Sequence, residues 1–509
     1  MITRLRTPPL TLLLDALAIT GIGTFAALGL AVPLGALGRE FFLHGSGLWD
    51  PEVLAAARIT VLQAGISAAV SVALGVLLAL ALPRDSRLVR ALLGVPFGIP
   101  AVAAATAWVL CLPRVFSYSL TAVIIAHVFF NIPWVALWVS RALDDVNPAQ
   151  LEAARTLGAS RWSAFRWITA PVIAPAAAAA LVQVFSLCAM SFILVMILGG
   201  GPPVDTLETT LFAKIRTGGL DLSGAGACAI WQMLITLAPW LLLRSFCRPR
   251  ALDQGRAGRE RRASTPSRRL FGVGAALVFL IPYFALLAHV ALESSWTREA
   301  LTSFGVSARI AFGTALVSVA VAALGIWAEE RSRLFARIGS PFLILPAGIS
   351  VMVLGVGFFI AYGNYLDPFS PSLWPIVILQ SMLFVPVAFL ALQPIARARN
   401  RGAWDAALTL GASPGAAFLW VEWPRWRGPT AGVLALVAGA ALGEVAAVSL
   451  FYNEGRVPVA LLISRWMGQY RFEQAQALSV LLMLAASVLI MSGMWLGFSN
   501  PEVGHGRNH

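Results

Sequence analysis

The sequence predicts an all-α polytopic membrane protein with about twelve transmembrane helices, arranged as two tandem six-helix halves. The first observation is composition: 59% of the residues are hydrophobic and 12% are charged, whereas about a quarter are charged in a typical soluble domain. The second is that apolar runs of about 18 residues or more recur, each long enough to cross a hydrocarbon core as a helix. The third is a phrase written twice, "EAARTLGAS" and "DAALTLGAS", once in each half.

The apolar runs define the predicted helices, because in lipid each backbone amide must be satisfied within its own segment. The first run contains Asp15, and its alternative reading is a cleaved secretory signal. A retained anchor is favoured, since the run is longer than a signal's apolar region. The predicted spans are 10–33, 57–82, 91–112, 118–141, 172–198, 224–246, 270–293, 306–328, 338–363, 372–395, 428–450 and 474–498.

The distribution of basic residues predicts the orientation. If both termini lie on one side, that side collects most of the 37 Lys and Arg residues, including Arg84, Arg155 and Arg331. The positive-inside rule then places both termini in the cytoplasm. The net charge of +13 is therefore attributed to topology, and nucleic-acid binding is not expected. The nine arginines from Arg244 to Arg269 are interpreted as a cytoplasmic linker, with contact to anionic membrane lipid as an addition.

No catalytic or metal-binding pattern is found in the sequence. The four cysteines show no C-x-x-C spacing, and the five histidines are scattered, so neither a disulfide nor a metal site is expected. A phosphate-binding loop needs a lysine after a Gly-rich turn, but the only lysine, Lys214 in "LFAKIRTGG", has no such turn before it. The chain is predicted not to be an enzyme, to bind no cofactor and to hydrolyse no ATP itself.

The repeated phrase belongs to a tandem duplication. Glu152 and Asp405 are 405 − 152 = 253 positions apart, Pro133 and Pro386 are also 253 apart, and "PFGI" and "PAGI" are 250 apart. The predicted halves are residues 1–250 and 251–509. Because each half has an even number of spans, the halves share one orientation, and repeats of this kind pack around an axis along the membrane normal with a pathway at their interface.

The phrase lies in two predicted cytoplasmic loops, 142–171 and 396–427. Asn147 and Pro148 favour a helix start, and Gly158 suits a left-handed helix end. Small residues let a partner approach the helix backbone, and an acidic residue near the helix start complements its dipole. The alternative is an amphipathic helix lying on the membrane. The residues proposed to contact the partner are Glu152, Ala153, Ala154, Gly158, Asp405, Ala406, Ala407 and Gly411.

The stretch "EAARTLGASRWSAFRWITAPV" resembles the E-A-A-x3-G-x9-I-x-L-P loop of bacterial binding-protein-dependent ABC importer permeases. In the first copy only Ala170 departs, standing in place of Leu. The second copy keeps both alanines, Gly411 and Pro424, but has Asp405, Val421 and Trp423 in place of Glu, Ile and Leu. The resemblance implies a type I importer transmembrane fold with both halves fused. It also implies a homodimeric ATPase partner, which carries ATP and Mg, and a periplasmic substrate-binding protein.

Among fused permeases, "AHVFFNIPW" and "LGGGPPVDTLETTLF" resemble the thiamine branch most. The resemblance therefore implies import of thiamine or thiamine phosphates. A ferric-iron importer of the same architecture is the nearest alternative. A secondary transporter driven by an ion gradient is the alternative from another class, although it would have no need of two matched loop helices.

The pathway candidates are polar residues in or near the predicted spans. Glu444 is first, since an ionisable group in a membrane helix is costly, and its repeat partner is Ser191 (444 − 253 = 191). A structural alternative has Glu444 satisfied by hydroxyls or by Arg465. Phe192 and Gln183 are further pathway candidates, and His127, Asn131 and Gln380 are weaker ones, since polar residues in spans often link helices. The outer loops are expected to present Asp205, Glu208, Glu454 and Arg456 to a binding protein.

Overall fold

A computed structural model describes residues 19–83, 85–116, 118–201, 204–246, 265–290, 297–365, 367, 370, 372–397 and 401–498. Within these ranges the regular elements are helices, and β pairing is limited to an isolated bridge between Asn453 and Arg456. The predicted all-α polytopic fold class is confirmed. Both chain termini, Cys247 and most of the arginine-rich linker lie outside the described residues.

Apart from the four-residue helix Arg161–Ala164 and isolated short turns, the first half of the sequence contributes ten described helices. They are α1 Ile19–Glu40, α2 Pro51–Ala81, α3 Arg87–Gly98, α4 Ala101–Cys111, α5 Leu120–Leu143, α6 Pro148–Thr156, α7 Ala170–Ala189, α8 Ile193–Gly199, α9 Leu207–Arg216 and α10 Leu222–Phe246. A π-helical turn, Phe165–Thr169, leads into α7.

The second half repeats this order. Its described helices are α11 Pro266–Val278, α12 Ile281–His289, α13 Arg298–Arg331, α14 Phe335–Gly348, α15 Val351–Tyr362, α16 Trp374–Arg397, α17 Arg401–Thr409, α18 Trp423–Leu442, α19 Ala446–Phe451, α20 Val459–Gly468 and α21 Phe472–Phe498. A second π-helical turn, Phe418–Glu422, leads into α18, 418 − 165 = 253 positions after the first.

Eight of the described helices are long and apolar enough to cross a membrane, and the number is eleven if each of three bent pairs is one span. These eleven correspond to eleven of the twelve predicted spans. The remaining one, 428–450, corresponds to α18, which carries Arg425 and Arg427 near its start and is therefore less apolar. Both charges lie at the end that follows the loop, where Arg427 is exposed and Arg425 pairs with Glu422.

Two of the bent pairs are related by the duplication. The chain turns by 97° between α3 and α4, and by 108° between α14 and α15. In each pair a short 3-10 turn containing Pro96 or Pro346 ends in an extended residue, Ile99 or Ile349. Kinks were expected at Pro96, Pro133, Pro346 and Pro386. Pro96 and Pro346 lie at a sharp bend that is present in both halves, whereas Pro133 and Pro386 lie inside the continuous helices α5 and α16.

The helices form two compact units that differ from the two halves of the sequence. The first unit comprises Ser46–Lys214 and Ala227–Glu293, and the second comprises Met1–Gly45, Ile215–Gly226 and Ser294–His509. Each unit therefore contains the first helical segment of the other half. The boundary between residues 250 and 251 describes the duplication and not the packing.

Close contacts hold each exchanged segment in its unit. In the second unit, Tyr362 of α15 donates a hydrogen bond to the carbonyl of Leu28 at 2.7 Å. A Cβ at Gly357 would lie 2.7 Å from the carbonyl oxygen of Pro33, so this approach of α1 to α15 requires glycine. In the first unit, the ring of Phe279, next to α11, lies 4.9 Å from the ring of Phe129.

Candidate functional site

The first loop helix, α6, is built as the sequence predicts. The amide of Ala149 donates to the Asn147 side chain at 3.1 Å, which caps the helix start, and Pro148 occupies the first turn. The helix ends at Gly158, whose φ is +82°, a left-handed conformation that favours glycine. Ser160 then caps the next helical segment by accepting from the amide of Ser163 at 3.1 Å.

The second loop helix, α17, ends in the same way. Gly411 has φ of +91°, and the amide of Ala412 donates to the carbonyl of Ala407 at 3.0 Å. The corresponding bond in the first loop joins the amide of Ala159 to the carbonyl of Ala154 at 2.9 Å. Ser413 caps the following segment at 3.2 Å. The predicted helix, glycine turn and second helix therefore occur in both halves.

The loop helices expose the side chains that the sequence singled out. Glu152, Ala153 and Asp405 are exposed, and α6 buries none of its residues. Sequence reasoning missed a matched pair of leucines at the helix ends, Leu157 at 87% exposure and Leu410 at 88%. They are 410 − 157 = 253 positions apart. The two loops therefore expose a leucine at the same place.

Glu444 lies at a break between two helices. Helix α18 ends at Leu442 and α19 begins at Ala446, and the Glu444 carboxylate accepts from the amides of Ala446 at 2.6 Å and Ala447 at 3.1 Å. Gln380 donates to its second oxygen at 3.1 Å. The carboxylate therefore caps α19 and links it to α16. Its structural partners are an amide side chain and backbone amides; Arg465 pairs instead with Glu454.

Ser191 and Phe192 lie at the corresponding break in the first half. Helix α7 ends at Ala189 and α8 begins at Ile193, so both spans are interrupted at equivalent positions. Phe192 is buried, and its ring lies 5.2 Å from that of Phe212. Gln183 lies on α7 two turns before the break, about 12 Å along the helix from Ser191 at 1.5 Å per residue. The structure thus places Ser191 and Phe192 together and Gln183 apart from them.

A buried polar link reaches each break from the neighbouring helices. In the second unit, Thr314 donates to Gln380 at 3.1 Å, and Gln380 donates to Glu444. In the first unit, the ring Nδ1 of His127 lies 3.0 Å from the Gln63 side-chain oxygen, and Gln63 donates to the carbonyl of Cys188 at 2.7 Å.

The duplication relates these links. His127 and Gln380 are 253 positions apart, and Gln63 and Thr314 are 251 apart. His127 and Gln380 were weaker pathway candidates, and the structure shows them joining helices. Gln63 and Thr314 were missed, although a glutamine in an apolar run and its position in the repeat were visible in the sequence.

The acidic residues expected on outer loops differ in their surroundings. Glu454 is exposed and accepts two hydrogen bonds from Arg465 at 2.7 and 2.9 Å, and these bonds lower the pKa of its carboxyl group. The pKa of Asp205 is raised by partial burial and by the nearby charge of Glu52.

The expectation for Glu208 is wrong, because its side chain is 1% exposed. It lies in the first turn of α9, where the amide of Leu207 donates to the hydroxyl of Thr60 at 2.9 Å. This bond holds the start of α9 in the interior of the first unit.

The sequence also matches a known protein family over both halves. Residues 71–246 and 321–497 match the family described as "Binding-protein-dependent transport system inner membrane component". The chain belongs to this family. The matched ranges contain both loop helices and both interrupted spans. The two exchanged segments, α1 and α11 with α12, lie outside them.

Similar proteins in this family span nearly the whole chain. The thiamine transport system permease protein of Brucella abortus is 27% identical over 540 residues, covering 96% of each chain. That of Salmonella typhimurium is 26% identical over 521 residues, covering 93% of this chain and 94% of its own. The sulfate transport system permease protein of Escherichia coli is 30% identical over 244 residues, covering 44% of this chain and 87% of its own. The predicted resemblance to a permease with two fused halves is confirmed.

Proposed function

We propose that this chain is the permease subunit of an ATP-driven importer that moves thiamine, or thiamine phosphates, across the bacterial inner membrane into the cytoplasm. The observation that carries the proposal is the pair of exposed loop helices with matched glycine ends. The permeases named above as similar over nearly the full length are thiamine transport proteins, which supports the cargo. The orientation with both termini in the cytoplasm follows from the basic residues.

The proposed coupling uses α6 and α17 as contacts for a separate ATPase. The left-handed glycines end both helices abruptly, so that Leu157 and Leu410 stand at exposed ends. Burial of an exposed leucine side chain is favourable by about 1.5–3 kcal/mol. A partner that covers Leu157 and Leu410 therefore gains binding free energy. ATP and Mg bind to the ATPase, and a periplasmic binding protein delivers the cargo.

Reconstitution tests the proposed cargo. We expect proteoliposomes containing this chain, the co-purifying ATPase and its binding protein to accumulate radiolabelled thiamine only with internal ATP. Ferric iron offered in the same assay serves as the competing cargo. Uptake of iron without uptake of thiamine would contradict the thiamine proposal and identify the chain as a ferric-iron permease. Thiamine uptake that needs an ion gradient and no ATP would identify a secondary transporter.

The subunit ratio provides a second prediction. Because one chain carries both loop helices, we expect one copy of this chain to bind two copies of the ATPase. Native mass spectrometry of the purified complex measures the ratio directly. A complex containing two copies of this chain and four ATPases would contradict the idea that the fused halves provide both docking loops.

A further inference from the structure

The second unit contains an aromatic cavity of about 560 Å³ next to the loop helix α17. This volume lies within the range of small-molecule pockets, roughly 300–1,000 Å³. Four tryptophans and two carboxylates contribute to its wall: Trp327, Glu330, Trp404, Glu422, Trp423 and Trp426. The lining therefore combines aromatic rings with two carboxylates and the guanidinium of Arg331, and Glu422 is 4% exposed.

The cavity already holds a cation against one of its rings. The guanidinium of Arg331 lies 4.7 Å from the ring centre of Trp327, within the distance of a cation–π contact. Glu422 forms an ion pair with Arg425, with 3.8 Å between a carboxylate oxygen and a guanidinium nitrogen. A wall that contains both aromatic rings and carboxylates suits an organic cation. The rings contact its apolar surface, and the carboxylates attract its positive charge.

The duplication shows that these residues are not a general requirement of the fold. At the offset of 253, Trp404, Glu422 and Trp426 correspond to Leu151, Thr169 and Ile173. At the offset of 251, Trp327 and Glu330 correspond to Val76 and Ala79. The same helices thus form in the first half without the rings and without the carboxylates.

An aromatic belt at the membrane surface is the alternative explanation for tryptophans at this level. Trp167 and Trp420 fit that role, because they occupy matched positions and are 71% and 82% exposed. Trp404 and Trp426 are less exposed, line the cavity and have no counterparts in the first half. The belt tryptophans are therefore duplicated, and the tryptophans of the cavity are not.

We propose that this cavity binds an aromatic organic cation, the chemical class of the proposed cargo, and that its occupancy regulates transport from the side of the loop helices. The regulatory step rests on the proposed function, whereas the binding step does not. Trp404 connects the two, because it lies on α17 next to Asp405 and also lines the cavity. A ligand against Trp404 restrains the helix proposed to contact the ATPase.

Binding is tested on the detergent-purified full chain without ATPase or binding protein, using thiamine as the probe and calorimetry as the readout. We expect the first-half substitutions Glu422→Thr and Trp426→Ile to weaken thiamine binding roughly tenfold or more, as expected for loss of a desolvated cation contact. Trp420→Leu is the matched control and should bind as the wild type does. Thermal unfolding of each variant shows that it is folded.

Other outcomes overturn the proposal. If Glu444→Gln removes binding while Glu422→Thr keeps it, the bound thiamine lies near the helix break and not in the cavity. If native mass spectrometry shows that the cavity variants lose phosphatidylethanolamine while thiamine affinity stays unchanged, the cavity holds a lipid headgroup. Choline binding equal to thiamine binding would contradict selection for an aromatic cation.

Regulation is tested in proteoliposomes by the ratio of initial uptake rates with and without thiamine preloaded inside. We expect preloading to lower the rate several-fold in the wild type, and the ratio to approach one in Trp327→Val, which lies outside the loop. Equal ratios in both proteins would overturn the regulatory step. Absence of uptake in all proteins would instead contradict the proposed function, and the calorimetric result would still decide whether the cavity binds the cation.

Discussion

We expect the replacement of Gly158 or Gly411 by aspartate to abolish the stimulation of ATP hydrolysis by loaded binding protein, while the chain still inserts and folds. Both glycines have left-handed φ values, and a Cβ at either position meets no atom within 4 Å. The substitution therefore adds little backbone strain, because aspartate, like asparagine, can adopt the left-handed conformation, and it does not disturb the packed helices. It places a charge beside Leu157 or Leu410, in a surface that the proposed partner must desolvate.

Asparagine at the same positions is the matched control, because it is close to aspartate in size, tolerates the left-handed region and has no charge. We expect intermediate stimulation in Gly158→Asn and Gly411→Asn. ATPase activity of the reconstituted complex measures the effect, and gel filtration with thermal unfolding checks the fold. Ordinary stimulation in both aspartate variants would contradict the coupling role of the loops.

The sequence predicts the features that depend on local chemistry. Apolar runs locate the spans, because length and hydropathy decide which segments enter a membrane. Asn147, Pro148 and Gly158 predict the bounds of α6 within a residue, because each acts on the backbone beside it. Because the two halves are related by the repeat, the same features are predicted at the equivalent positions of the second half. The bends after Pro96 and Pro346 are one such pair.

Features that depend on distant packing were not predicted. The exchange of α1 and of α11 with α12 between the units leaves no periodic signal in the sequence. The contact of Gly357 with the carbonyl of Pro33 joins residues more than 300 positions apart. The start of α9, where Glu208 is buried, is likewise bonded to Thr60 on another helix through the amide of Leu207. The tryptophans of the cavity beside α17 lie on three helices, α13, α17 and α18, that are far apart in the sequence. Only the folded structure shows that they form one wall.

The helix breaks after α7 and α18 were predicted only in part. The sequence singled out Glu444 and Ser191 as repeat partners of different chemistry, but gave no reason to expect a helix break at each. In the structure the Glu444 carboxylate replaces the missing helical acceptors for Ala446 and Ala447. Its charge and its capping role are therefore separate properties that two substitutions can distinguish.

Glu444→Gln should slow uptake of a cationic cargo roughly tenfold, equivalent to about 1.4 kcal/mol, and should slow ATP turnover much less. The glutamine oxygen still accepts from the amides of α19. Its amide group then faces Gln380, which can rotate by half a turn because the hydroxyl of Thr314 both donates and accepts. The substitution thus keeps the shape of the link and removes the charge.

Glu444→Asp is the complementary variant, since it keeps the charge but shortens the reach to α19. If the charge attracts the cargo, the aspartate variant transports better than the glutamine variant and is less stable to heating. Initial rates of thiamine uptake and of ATP hydrolysis, measured in the same proteoliposomes, separate the two effects. Unchanged uptake in Glu444→Gln would show that transport does not need the negative charge. Glu444 would then have only the role of capping α19.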